Sequence, residues 1–139
     1  VYKAFGHQHL GEIRQSLKQL QPDFNFDINF IPVRGNHTLG IFASVYTKFD
    51  GSLEEAVKLY QDYYESHPFV LVSKSNPDLK QVVNTNKAIV YLEKHGNKLM
   101  ILSITDNLLK GASGQAVQNM NLMFGLEETA GLNLKAVAF

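Results

Sequence analysis

The chain is predicted to be an α+β protein in which a mixed or antiparallel sheet carries helices on one face. Two observations predict this class. Apolar residues recur at helical spacing in three stretches, and runs rich in β-branched and aromatic residues lie between them. The resulting order is helix, two strands, helix, several more strands and a closing helix. We expect the 139 residues, 45% of them hydrophobic, to form one domain around a single core.

The first predicted helix spans His9 to Leu20, and Pro22 just beyond it discourages continuation. Residues 24–30 then alternate between apolar and polar side chains, which is the period of a strand with one buried face. After a loop, Gly40 to Phe49 is rich in aromatic and β-branched residues and predicts a second strand. The pair Asp50-Gly51 predicts the turn that ends this strand.

A second helix is predicted over residues 53–66. Ser52 and Glu55 before it have the spacing of a capping box, and His67-Pro68 ends its apolar stripe. Phe69 to Val72 resembles a short strand.

The last part of the chain predicts a hairpin followed by a long helix. Residues 88–93 and 98–105 are strand-like and flank a turn near Gly96-Asn97. A helical segment from Leu108 to Phe124 follows, and Gly125 can supply the left-handed residue that ends it.

Composition excludes several classes of function. Thirteen basic and thirteen acidic residues balance, so no broad field favours nucleic acid or an anionic membrane. No apolar stretch approaches the ~20 residues that span a bilayer, and no signal-peptide pattern is present, which favours a cytoplasmic protein. With no cysteine, any thiol nucleophile must come from elsewhere. Because the chain begins at Val1 rather than methionine, we expect an excised fragment.

Two segments carry a resemblance to a known family. Residues 105–125, TDNLLKGASGQAVQNMNLMFG, closely resemble the terminal segment of N-acetyl-gamma-glutamyl-phosphate reductases. Gly6 to Ile13, GHQHLGEI, resembles the histidine motif of the same family. The order and separation of the two segments fit, and weaker similarity extends over the rest of the chain.

The resemblance implies a fold like the catalytic domain of glyceraldehyde-3-phosphate dehydrogenase, with residues 1–139 as the substrate-binding, catalytic and dimerisation domain. In this family an amino-terminal Rossmann domain carries NADPH. A cysteine attacks N-acetyl-gamma-glutamyl phosphate, and the thioester is reduced to N-acetylglutamate semialdehyde in arginine biosynthesis. Neither the dinucleotide fingerprint nor the cysteine is present here. The resemblance therefore implies an NADP-dependent acyl-phosphate reductase as the whole protein, a homo-oligomer, and an inactive isolated fragment. Residues 106–125 would form a terminal helix that packs on the missing Rossmann domain.

The resemblance makes His7 the catalytic histidine. An imidazole titrates near neutrality and can serve as acid, base and ion-pair partner of a cysteine thiolate. The alternative is a histidine that only ends a strand and caps the following helix. His9 and Glu12 are expected to bind substrate or to orient His7 from the opening of the first helix, although Glu12 could instead interact with the helix dipole. A zinc site at His7 and His9 is disfavoured because no further ligands accompany them, so no metal is expected.

Arg34 and Gly35 lie in the loop where the family places an arginine-glycine pair near the substrate. A guanidinium suits a carboxylate or an acyl phosphate because it binds oxyanions through two donors. The sequence departs from the commonest pattern: Leu39 rather than arginine precedes Gly40, and residues 36–38 lengthen the loop. Arg34 either replaces that arginine or is a solvated loop charge.

Asn107, Lys110 and Gly111 are cofactor-binding residues by the same resemblance. They occupy the joint between a strand and the last helix, which lies against the nicotinamide end of the cofactor. The Asn107 carboxamide can pair with the nicotinamide amide, and Gly111 allows close backbone approach. Ordinary capping by Asp106 or Asn107 is the structural alternative.

Two other functions stay open. Another acyl-phosphate reductase, such as aspartate-semialdehyde dehydrogenase, shares the fold and the chemistry, although residues 115–125 argue against it. A noncatalytic dimerisation or interaction module would tolerate the missing cysteine, although the retained motif residues disfavour it.

Overall fold

The computed structural model describes residues 1–136, and the chain divides into two compact units, Val1–His37 and Thr38–Phe139. The smaller unit contains one helix, α1. The larger unit contains the sheet and the remaining helices of the described chain.

Helix α1 spans His9–Leu20, the bounds predicted from the sequence. Leu10 is its buried residue, and Gln21 follows in an extended conformation that ends the helix. The N-terminal cap residue is Gln8, whose side chain makes no capping hydrogen bond. The first turn therefore depends on other groups for its exposed N–H donors.

The strand predicted over residues 24–30 is absent from the structure, so this prediction was wrong. The backbone N–H of Phe5 donates to the carbonyl of Phe30 across 2.9 Å, but no regular ladder develops. Lys3 and Phe5 have φ values of +45° and +59°, left-handed conformations that a regular strand does not contain. Residues 24–30 therefore have no extended neighbouring strand with which to pair.

The larger unit is built on a four-stranded sheet. Its strands are β1 (Ile41–Lys48), β2 (Val70–Ser73), β3 (Ala88–His95) and β4 (Lys98–Thr105). They lie in the order β1-β4-β3-β2, with β4 antiparallel to both neighbours and β2 parallel to β3. The α+β class and the mixed sheet are confirmed. The predicted hairpin joins β3 to β4 and turns at Gly96, whose φ is +58°.

Helix α2 (Leu53–Tyr64) covers one face of the sheet. The predicted capping box is present: Ser52 Oγ accepts from the Glu55 N–H (3.1 Å), and Glu55 Oε2 accepts from the Ser52 N–H (2.6 Å). Burial of this apolar face stabilises the unit. The buried residues of the cluster are Ala56, Val90, Leu92 and Leu99.

A second cluster lies on the opposite face, because Ile89 and Val90 are adjacent in β3 and point to opposite sides. Val82, just after a short 3₁₀ helix at Leu79–Gln81, packs there against Ile89 and Ile104. Ile104 is fully buried near the end of β4. This packing supports the chain where it leaves the sheet.

The segment predicted as one helix over 108–124 has two parts. Leu109–Ser113 forms a π-helical turn, and α3 spans Gly114–Met123. The turn is wide because the N–H groups of Gly111 and Ser113 donate to the carbonyls of Asp106 and Leu108, each five residues earlier. Gly125, with φ of +66°, follows the helix in the left-handed conformation expected there.

Strand β1 lies at an edge of the sheet and is apolar on both sides. Val45 and Tyr46 are adjacent, so they point to opposite faces, and their side chains are 54% and 72% exposed. Phe42 is likewise half-exposed. An apolar side is also exposed on α3 and just after it, at Val117, Met120, Leu122, Met123 and Phe124.

Candidate functional site

His7 is half-buried just before α1 and is surrounded by aromatic rings. The ring centroids of His9, Phe30 and Tyr2 lie 4.5, 5.4 and 5.6 Å from that of His7, all edge-on. His7 Nδ1 accepts a hydrogen bond of 3.3 Å from the backbone N–H of His9. The neutral ring therefore carries its proton on Nε2, which has no hydrogen-bond partner within residues 1–136.

The pKa of His7 is lowered from its ordinary value. Partial desolvation is the largest cause, followed by the positive charges of His9 and Lys3, while the Glu12 carboxylate opposes them. At pH 7 the imidazole is accordingly neutral, with an accessible N–H donor. The capping alternative is realised at the same time, because Nδ1 satisfies one of the first N–H groups of α1.

Arg34 belongs to the same cluster through Tyr2. Its guanidinium carbon lies 4.9 Å from the centroid of the Tyr2 ring, and that ring also contacts His7. His9 and Glu12, in the first turn of α1, act electrostatically on His7, and Arg34 is connected to His7 through the Tyr2 ring. The guanidinium can bind an oxyanion through two donors, and the neutral imidazole can donate a hydrogen bond from Nε2–H.

The joint after β4 is organised by Asp106, which is 1% exposed. Its Oδ1 accepts from the N–H groups of Leu108 (2.7 Å) and Leu109 (2.9 Å), and its Oδ2 accepts from the N–H of Asn84 (2.7 Å). Asn84 has a φ of +64°, so the carboxylate holds a strained residue in place. Capping at this joint therefore falls to Asp106.

Asn107 makes a different contact. Its Oδ1 accepts a hydrogen bond of 2.6 Å from the backbone N–H of Gly40, at the start of β1. The side chain is partly exposed, and Nδ2 donates to no group in the described part of the chain. Asn107 thus presents one unused donor at the surface of the joint.

Lys110 is engaged by its own chain. Its ammonium donates to Gln118 Oε1 (2.7 Å) and lies 5.5 Å from the centroid of the Phe69 ring. Gln118 Nε2 in turn donates to Glu128 Oε1 (2.6 Å). Burial lowers the pKa of Lys110, and the Glu128 carboxylate opposes this shift. As placed, the ammonium fastens the π-helical turn to α3.

Gly111 and Gly114 differ in what surrounds them. Gly111 is exposed, and a Cβ built there would meet the Asp106 carbonyl at 3.4 Å and the Asn107 Cβ at 3.9 Å. Gly114 is buried, and a Cβ there would collide with the Asn86 side chain and lie 2.9 Å from the Leu109 carbonyl. Packing within the larger unit therefore requires glycine at 114 and leaves room at 111.

Sequence reasoning missed three residues of the joint: Gly40, Asn86 and Gln118. Gly40 holds Asn107, and Asn86 Nδ2 donates to Gln118 Oε1 across 3.1 Å. The buried Asn86 Oδ1 has no hydrogen-bond partner among residues 1–136 and lies against Gly114. Asp106 was considered only as a helix cap. These contacts join residues far apart in sequence, so local spacing carries no signal for them.

Residues 1–136 contain neither a candidate metal site nor a membrane-spanning helix. No group of three or more His, Cys, Asp or Glu side chains within residues 1–136 could hold a metal ion. No helix in that range has the length and apolar character needed to cross a membrane.

Comparisons with known proteins agree on one family. Residues 1–107 match the family model described as semialdehyde dehydrogenase, dimerisation domain. The whole chain is 63% identical to a protein of Phocaeicola vulgatus named N-acetyl-gamma-glutamyl-phosphate reductase, and 62% and 63% identical to proteins of that name from Bacteroides fragilis and Christiangramia forsetii. The chain covers 43% of the length of each of these relatives.

Proposed function

Because the chain belongs to the semialdehyde dehydrogenase family, as its dimerisation domain, we propose that it is the substrate-side domain of an N-acetyl-gamma-glutamyl-phosphate reductase. The whole protein would convert N-acetyl-gamma-glutamyl phosphate, NADPH and a proton to N-acetylglutamate semialdehyde, phosphate and NADP⁺. A Rossmann domain and a cysteine outside this chain would complete the enzyme. We expect it to act in the cytoplasm, in arginine biosynthesis, as a homo-oligomer.

The observation that carries the proposal is the environment of His7. Its ring is neutral at pH 7, its Nδ1 is occupied by the backbone of α1, and its Nε2–H is unpaired within the described chain. A cysteine outside the chain would attack the acyl carbon, form a thioester and release phosphate. Nε2–H of His7 is suited to stabilise the thiolate before this attack or the oxygen anion that develops during it.

Arg34 suits the negatively charged part of the substrate. Its guanidinium is exposed and lies on the Tyr2 ring, which also contacts His7, and its donors are available to a carboxylate or phosphate. His9 and Glu12 would then act on His7 through their charges and, for His9, through ring contact. This supports the substrate-side assignment of all three residues.

The joint after β4 fits the nicotinamide end of NADP. Asn107 offers an unused amide donor, and Gly111 is exposed with room around it. NADPH, when bound, would supply the hydride for the reduction. Lys110 fits less directly, because its ammonium is already bound to Gln118. We propose Lys110 as a residue that holds the turn on which Asn107 and Gly111 lie.

The test is steady-state reduction of N-acetyl-gamma-glutamyl phosphate by the full-length protein, followed through NADPH absorbance. His7→Asn is expected to lower kcat by about a hundredfold or more, the range for loss of one hydrogen-bond donor that stabilises developing negative charge. His95→Asn is the matched control, because His95 is exposed on the hairpin and bonds only to Glu93 in the described chain.

Three outcomes would contradict the proposal. Full activity of the His7→Asn variant would remove the catalytic role of His7. A strong preference for aspartyl phosphate would favour the aspartate-semialdehyde alternative. Absence of NADPH-dependent reduction with any acyl phosphate would leave the noncatalytic dimerisation module.

A further inference from the structure

We infer that Phe30 is a positioning residue for the proposed reaction: its ring holds the His7 imidazole in the orientation that leaves Nε2–H free for the reacting groups. The inference rests on the proposed function, in which that N–H stabilises a thiolate or a developing oxygen anion. Phe30 has no polar side-chain atom and would act only through His7.

Phe30 is tied by backbone hydrogen bonds to the segment that carries His7. The Phe5 N–H donates to the Phe30 carbonyl across 2.9 Å, and the Tyr2 N–H donates to the Pro32 carbonyl across 3.1 Å. Phe5 lies two residues before His7 and has a φ of +59°, a conformation that persists in a bulky residue only where its surroundings hold it. The Phe30 backbone is therefore fixed beside the residues that lead into His7.

The ring of Phe30 constrains the rotation of the imidazole. The two ring centroids lie 5.4 Å apart with the planes at 63°, an edge-on contact that depends on ring orientation. The hydrogen bond from the His9 N–H to His7 Nδ1 is long, at 3.3 Å, so it limits this rotation only weakly. Rotation about the Cβ–Cγ bond would disturb both contacts. Together they direct Nε2–H away from the backbone of α1.

Phe30 differs from the other two rings that contact His7. Tyr2 and His9 are exposed and each carries a polar group, whereas Phe30 is partly buried and wholly apolar. Its ring therefore excludes water from one side of His7 without adding a charge.

The exclusion of water also affects the protonation of the imidazole. Partial desolvation is the largest cause of the lowered pKa of His7. The charged or titratable groups within residues 1–136 that contact His7 or act on its charge are Lys3, His9, Glu12 and Tyr2, with Arg34 reached through the Tyr2 ring. Replacing Phe30 removes none of these groups. A change in the His7 pKa of a Phe30 variant therefore reports the access of water to the ring.

The test uses the full-length protein and combines the NADPH-dependent reduction of N-acetyl-gamma-glutamyl phosphate with an NMR titration of His7. Phe30→Ala is expected to lower kcat by roughly two- to tenfold with KM unchanged, the fold-change that corresponds to loss of one aromatic contact. The pKa of His7 should rise toward its ordinary value as water reaches the ring. The acidic limb of kcat against pH should move to higher pH with it. Phe30→Tyr keeps the ring and should retain both wild-type values.

Phe26→Ala is the matched control. Phe26 lies in the same segment, its side chain is 69% exposed, and its ring contacts Phe24. This variant should leave kcat and the His7 pKa unchanged. Phe30→Leu serves if Phe30→Ala does not fold: it keeps apolar volume but lacks a flat ring edge, and it should change both quantities in the same direction by a smaller amount.

An unchanged kcat or an unchanged His7 pKa in the folded Phe30 variant overturns the inference. Equal losses of kcat in Phe26→Ala, or in Phe30→Tyr, overturn it as well, because the effect would then not depend on the ring beside His7. The His7→Asn variant separates this inference from the proposed function. Full activity of His7→Asn overturns both, whereas an inactive His7→Asn with a fully active Phe30→Ala overturns the inference alone.

Discussion

Asp106 Oδ2 accepts a hydrogen bond of 2.7 Å from the backbone N–H of Asn84, a residue held at a φ of +64°. The other oxygen of the same buried carboxylate binds the start of the π-helical turn. One side chain thus connects the segment before β3 to the segment after β4.

Asp106→Asn is expected to lower the free energy of unfolding by about 2–3 kcal/mol. Asparagine can retain the two N–H groups of Leu108 and Leu109 on its oxygen, but its NH₂ then faces the Asn84 N–H. A buried donor is left unpaired, and the charge that strengthened the other bonds is lost. Urea unfolding measures the change.

Asp78→Asn is the matched control for this substitution. Asp78 caps the short 3₁₀ helix through one hydrogen bond, from the Lys80 N–H at 2.9 Å, and its side chain is exposed. Its loss is expected to cost roughly 1 kcal/mol or less. Equal effects of the two substitutions would show that Asp106 has no special role at the joint.

Alanine at Gly114 should lower stability, whereas alanine at Gly111 should weaken cofactor binding. Gly114→Ala is expected to destabilise the chain by about 1–3 kcal/mol, because its Cβ collides with Asn86 and crowds the Leu109 carbonyl. Gly111→Ala has no such collision, and we expect unfolding to change by less than about 0.5 kcal/mol. In the full-length protein Gly111→Ala should nonetheless weaken NADP⁺ binding. The proposal for Gly111 fails if binding is unaffected.

His7 should titrate below its ordinary pKa, and neighbouring charges should tune it in opposite directions. Lys3→Ala removes a positive charge and raises the pKa, whereas Glu12→Gln removes the opposing carboxylate and lowers it further. Proton NMR of the histidine rings measures both changes. Shifts of the same sign in the two variants would contradict the charge arrangement.

The same pKa sets a pH dependence of stability. Since the folded-state pKa of His7 lies below the unfolded value, the unfolded chain binds more protons just below about pH 6.5. The His7 contribution to stability is therefore complete above that pH and declines as the pH falls through the folded pKa. His7→Asn should flatten this part of the profile of unfolding against pH.

Arg34→Gln should raise KM for the acyl phosphate in the full-length enzyme by about ten- to a hundredfold, the range for loss of charge-assisted hydrogen bonds. Arg34→Lys should recover part of the loss, since it restores charge but not the planar fork. Arg14→Gln, on the exposed side of α1, is the control. An unchanged KM in Arg34→Gln would mark Arg34 as a solvated loop charge.

The sequence alone predicted the elements whose bounds depend on neighbouring residues. The bounds of α1 follow from apolar spacing and Pro22, and the capping box at Ser52 places the start of α2. The strand predicted over 24–30 failed because alternation describes only one partner of a ladder. Whether an extended neighbouring strand is available depends on the backbone conformation of Lys3 and Phe5, which the spacing of apolar residues does not predict.

The candidate site likewise has a part that the sequence predicted and a part that it did not. The motifs placed His7 and Asn107 at the ends of regular elements, where the structure has them. The contact that orients Asn107 comes from Gly40, 67 residues earlier, and the partners of Lys110 come from α3 and the segment after it. Such contacts depend on how distant segments meet in the fold. No local pattern in the sequence predicts them.

Within residues 1–136, strand β1 has apolar side chains on both faces and no strand paired along its outer edge, so further strands can add to it. A polypeptide of this sequence released on its own would be prone to precipitate or to form fibrils. Covering those few residues with another polypeptide would remove that tendency.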